Sequence, residues 1–205
     1  MGEDRLRVLQ ALRLKGRLPA ADLAGTTGLD ENTVDEIAAS LTANGLAEEV
    51  RGRLKLTAAG REQLEEYLAA ERRDVDRQAV VALYEEFGEH NIALKTLMTR
   101  WQLRSDDTPN DHTDAAYDNA VIEDLGHLDE RFQPLLSRMV AAVPRLGHYP
   151  SRFSAALARI EAGDHSWFAK PLADSYHTVW FELHEDLIGL AGLSRVEEAA
   201  AGRAE

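Results

Sequence analysis

The 205-residue chain has no cysteine, 23 Lys and Arg against 36 Asp and Glu, and a net charge of −13. Disulfide frameworks, thiolate metal clusters and thiol nucleophiles are thereby excluded, and general polyanion binding is disfavoured because counterion release needs a basic surface. With 44% apolar and 29% charged residues the composition is that of a folded protein. No stretch approaches the ~20 apolar residues of a membrane span, and MGEDRLRVLQ lacks a signal peptide's apolar run, so a cytoplasmic protein is expected.

Residues 1–70 carry 9 basic and 12 acidic groups; the remainder carries 14 and 24, with all seven histidines and all three tryptophans. Asp4 can cap a first helix that places Leu6, Val8, Leu9 and Leu12 on one face and ends at Gly16. Pro19 opens a second helix, and Gly25-Thr-Thr-Gly28 reads as a tight turn. Asp30 caps a third, with Val34, Ile37 and Leu41 apolar and Gly45 as the stop. Leu46 to Val50 and Leu54 to Thr57, around Arg51-Gly52-Arg53, predict a small β-hairpin, after which Thr57 caps another helix.

This order is that of a winged helix-turn-helix. Leu54-Lys-Leu-Thr-Ala-Ala-Gly-Arg-Glu-Gln-Leu64 resembles the strand-to-helix passage after the wing in MarR-like regulators. The resemblance covers about a third of the chain and implies a DNA-binding transcription regulator acting as a homodimer on a palindromic site. The predicted recognition helix begins Asp30-Glu-Asn-Thr-Val-Asp-Glu36, with no Lys or Arg between Arg17 and Arg51. Asn32 and Thr33 are its candidate base contacts. Arg51, Arg53 and Lys55 of the wing are the candidate minor-groove and phosphate contacts. Further basic groups stand on the first helix (Arg5, Arg7, Arg13, Lys15 and Arg17). The competing reading is a winged helix used for protein contact.

Beyond residue 58 no segment alternates, so the second part is expected to be all-helical. Two helices meet near Arg73-Asp74 before a polar loop from Ser105 to His112. A helix from about Thr113 is bent or restarted by Pro134, another runs from Pro150 to Gly163, and a last one spans about Pro171 to Leu190. The expected division is a winged helix over 1–70, an all-α ligand-sensing or assembly domain over 71–195, and a frayed tail over 196–205. A minor apolar stripe of Val81, Ile92 and Leu103 suits a partner face.

Polar groups fall on predicted apolar faces in three places. His90 and Asn91 lie among Val80, Leu83, Phe87, Leu94, Met98 and Trp101. Asp114 and Asp118 lie among Tyr117, Val121, Leu125, Leu128 and Phe132. In the last helix His177 and His184 fall within the stripe of Leu172, Tyr176, Trp180, Leu183 and Leu187, widened by Phe181 and Ile188. Glu182, Glu185 and Asp186 point the other way. Asn91, Trp101, Arg104, Asp118, His177, Trp180 and His184 are therefore expected to bound one pocket or buried cluster. Arg104 would grip a carboxylate or phosphate of an anionic effector while the indoles cover its body.

Asp174 to Asp186, with Trp101-Gln-Leu-Arg104 and Asn110 to Asp118, resembles helical domains that follow winged helices in proteins of high-GC bacteria, to which no reaction is attached. The layout is also similar to that of GntR regulators, whose effector domains often bind a metal through one Asp and several His. That family's ligand spacing is not recognisable here. His177 and His184 stand about 10.5 Å apart along a helix, too far for one ion. A structural polar network, a small-molecule pocket and a metal site all remain open. No HExxH, Walker, Rossmann or Gly-x-Ser-x-Gly motif occurs, so no catalytic residue is assigned and an enzyme is the less favoured class.

Overall fold

Asp30 and Thr57 both act as helix caps, accepting the backbone N–H three residues on, at Thr33 and Gly60, and the N-terminal elements are arranged around these starts. In the computed structural model, which describes residues 2–104, 108–171, 173–193 and 198, the chain opens with helices α1 (Gly2–Lys15), α2 (Ala20–Thr27) and α3 (Glu31–Ala43). Strands β1 (Ala47–Val50) and β2 (Arg53–Leu56) then pair antiparallel, with Ala47 opposite Leu56 and Val50 opposite Arg53. Arg51 and Gly52, at φ 56° and 74°, form the two-residue turn whose twist suits a hairpin. A winged helix followed by a mainly helical second part is thus the fold.

The expected tight turn at Gly25–Gly28 is instead the last turn of α2. The hydroxyls of Thr26 and Thr27 bond back to the carbonyls of Asp22 and Leu23, and the helix stops at Gly28, which takes the left-handed conformation.

Helix α4 (Ala58–Asp74) leads into α5 (Arg77–Gln102), with Asp76 capping the latter. Helix α6 (Ala115–Ala142) starts at the Asp114 cap and continues through Pro134 without restarting. The ~3 kcal/mol penalty of an internal proline is outweighed where neighbours such as Phe132, Leu135 and Leu136 are fully buried at about 1.5–3 kcal/mol each. A 3-10 turn (Pro144–His148), α7 (Tyr149–Glu161), a second 3-10 turn (His165–Phe168) and α8 (Tyr176–Ala191) complete the bundle. The last helix begins later than expected because Ser175 caps it. Leu172 of the predicted stripe, Ser105, Asp106 and Asp107 of the predicted loop, and the predicted frayed tail apart from Glu198 lie outside the described residues.

Two apolar cores result, one drawn from residues 6–68 and one from residues 80–191. Between them lies a polar seam. Glu182 and Asp186 of α8 point away from the bundle core as expected, yet each is only 2% exposed. Asp186 accepts from Gln10 of α1 at 2.7 Å and from the Tyr149 hydroxyl at 2.6 Å, and lies 3.0 Å from Arg145. Glu182 meets Arg152 at 2.6 Å and Lys15 at 2.8 Å. Arg145 also holds Glu71 of α4 at 2.7 Å, and Lys15 reaches Asp174 at 2.6 Å. Burial opposes its charge, yet the Arg145 guanidinium keeps Asp186 below the usual carboxylate range. A 100° period finds the apolar arc of α8. It does not reveal that the opposite arc is covered by a second body bearing cations.

Candidate functional site

The seven residues expected to form one cluster separate into four places. Arg104 does not turn inward: it pairs with Asp114 at 2.9 Å and lies 4.1 Å over the Tyr117 ring. The Asp114 cap sits within reach of the preceding loop and holds one edge of the half-buried guanidinium, whose Nη1 is buried without a hydrogen-bond partner among the described residues. Trp101 and Asp118 belong to a latch for that loop. Asn110 donates to Asp118 at 2.8 Å and to the Trp101 carbonyl at 3.1 Å, while His112 Nδ1 lies 3.0 Å from Asp118. Trp101 stacks on Phe168 at 4.4 Å. His177 is half-buried near the start of α8, two turns from His184.

Asn91, Trp180 and His184 do converge, where α5 faces α8. Trp180 Nε1 donates to Asn91 Oδ1 at 3.0 Å, and Phe87 stacks against the indole at 5.0 Å. These groups adjoin a cavity of about 680 Å³ whose inner wall includes Tyr84, Phe87, Asn91 and His184. Val81, Ile92 and Leu193 supply apolar surface, Ile92 being 68% exposed, and Arg77, Glu85, Lys95 and Glu198 supply charge. Such a volume suits a small organic ligand, and the mixture of apolar wall with a few convergent polar groups is that of a binding pocket.

Sequence reading missed Tyr84 and Glu198. Tyr84 was within reach, seven residues before Asn91 and so on the same helix face. Glu198 falls in the Ala/Glu-rich stretch expected to be a frayed tail, yet it is helical and buried. Val81 and Ile92, of the stripe that suits a partner face, both line this cavity. Phe181, placed in the buried arc by periodicity, is 38% exposed.

Among the described residues no group of three or more His, Asp or Glu side chains is arranged to hold a metal ion. No described helix is long and apolar enough to cross a membrane.

On the winged helix, Thr33 is occupied by capping: its hydroxyl donates to Asp30 at 2.6 Å. Asn32 is exposed, but so are Glu31, Asp35 and Glu36 on the same outward face of α3. Lys55 is paired with Glu48 at 2.9 Å across the hairpin. Arg51 and Arg53 stand exposed at the wing tip. The basic groups of α1, with Arg17 just after it, are largely turned elsewhere. Lys15 enters the seam, Arg13 approaches Glu185 at 3.8 Å, Arg7 pairs with Glu3 at 2.6 Å, and Arg5 reaches Ser40 at 3.3 Å. Arg17 alone of the five is fully at the surface.

The chain matches no protein-family model, and comparisons with curated proteins and with solved structures return no match.

Proposed function

We propose that this chain is a ligand-responsive transcription regulator, with the α5–α8 pocket as input and the winged helix as output. One observation carries the reading: α8 serves both. His184 lines the pocket, while Glu182 and Asp186, two residues to either side, are bonded into α1 and its surroundings. A ligand that shifts α8 acts on the winged helix through buried charge pairs, whose geometry is costly to change.

The output we assign is binding of double-stranded DNA by a homodimer in the cytoplasm, with Arg51 and Arg53 supplying the wing contacts. A second reading is favoured by the outward carboxylates Glu31, Asp35 and Glu36, which would suit a basic protein surface better than phosphates.

Fluorescence anisotropy on duplex DNA from the protein's own upstream region tests the assignment. Arg51→Ala with Arg53→Ala should weaken binding and reduce the salt slope by about 2. Glu31→Gln with Asp35→Asn and Glu36→Gln should strengthen binding if α3 lies against DNA. No binding at about 50 mM salt by any of these proteins would overturn the DNA output in favour of the protein partner.

A further inference from the structure

We infer that the α5–α8 pocket takes a small carboxylic acid with an apolar body, and that the carboxylate of Glu198 occupies the position of the ligand's acid group. This inference rests on reading the pocket as the effector site.

Glu198 lies beyond α8 and is only 1% exposed. Its Oε2 accepts from the Tyr84 hydroxyl at 2.6 Å, the length of a charge-assisted O–H···O bond. Carboxylates leave water only where donors replace their hydration. The Tyr84 oxygen also lies 3.2 Å from His184 Nε2. A phenol has one proton, and here it is given to Glu198. The imidazole must then donate to the phenol oxygen, so both donors run towards the carboxylate. This is an acceptor position built for an anion.

Arg77 and Lys95 stand in the same pocket wall and add cationic side chains to its lining. The rest of the cavity is lined in part by Val81, Phe87, Ile92 and Leu193. Its volume of about 680 Å³ far exceeds a carboxylate group, so the ligand brings an apolar body as well. Glu198 is thus a competitor built into the chain, and ligand binding releases it from Tyr84.

The test uses two probes, octanoate and 4-phenylbutyrate, each with its primary amide, titrated calorimetrically into the full chain and into Glu198→Ala. The acids should bind Glu198→Ala about tenfold more tightly than the unsubstituted chain, the weight of one charge-assisted hydrogen bond. Adding Tyr84→Phe should cancel that gain. The amides should bind both proteins alike. If the amides gain as much as the acids from Glu198→Ala, the pocket does not select an anion: the inference falls and the pocket reading stands. If neither acids nor amides bind either folded protein, both fall together.

Discussion

Replacing Asp186 by Asn keeps the shape of the side chain and removes one charge from the seam between the two cores. The carboxylate receives Gln10 Nε2 at 2.7 Å and the Tyr149 hydroxyl at 2.6 Å, with Arg145 at 3.0 Å. An asparagine has one oxygen for these donors and turns its own N–H₂ towards at least one of them. Arg145, 2% exposed, keeps only Glu71 as a charged partner. Breaking a buried pair costs about 3–5 kcal/mol, and the surviving Glu71 contact puts this case near ~3 kcal/mol. For a chain of this size that corresponds to a fall in Tm of roughly 6–12 °C. Differential scanning calorimetry and urea unfolding followed by circular dichroism both read it. The comparison is the adjacent Glu185→Gln: Glu185 is half-buried and its contact with Arg13 is long, 3.8 Å, so it should cost less than Asp186→Asn. Helical period alone puts both acids on the same arc, away from the bundle, and does not distinguish them. Equal costs within ~0.5 kcal/mol would refute the buried-seam argument.

His148 gives the seam a pH dependence. Burial, then the nearby Arg152, push its imidazole down to about 4. Because the folded value lies below the unfolded ~6.5, the unfolded chain binds the extra proton between these limits. Stability should therefore be at its plateau above pH 6.5 and fall by up to about 3 kcal/mol as pH drops towards 4. His148→Gln should flatten that part of the urea-midpoint profile, and an unchanged slope would assign it to other groups. Gly60→Ala should disrupt the start of α4, since an added Cβ would lie 1.9 Å from the Leu46 carbonyl oxygen. A loss of about 3 kcal/mol is expected from the backbone shift this forces, and wild-type urea stability in the variant would contradict it.

The winged helix was legible because local signals agree there. Asp30 and Thr57 cap as their neighbours suggest, and Arg51-Gly52 turns the hairpin. The inward faces of α5 and α6 were also readable, down to the buried Asn91 and Asp118. What failed was assembly between elements. Arg104 looked like an inward cation because its partner, Asp114, is brought to it only by the path of the intervening loop. Glu182 and Asp186 could be placed on the arc facing away from the bundle, but nothing in their own helix announces Arg145, Arg152, Lys15 and Gln10. The pocket was half visible: Asn91 and His184 follow from periodicity, whereas Glu198 arrives through tertiary placement alone.

Helix α8 is covered on both sides, by aromatic rings towards the bundle and by ion pairs towards α1. Its backbone amides therefore have no cheap local opening available. Fraying its middle turns requires Glu182 and Asp186 to leave their cations at the same time as Trp180 and Leu183 leave the core. In hydrogen-exchange terms these amides belong to the slowest class, which exchanges only when the whole chain unfolds. The wing is at the opposite extreme, with a two-stranded edge and exposed arginines at its turn. Exchange protection thus runs as a gradient along the line from wing to α8. Its steepest part should lie at the seam, where α1 lends its own protection to whatever α8 retains.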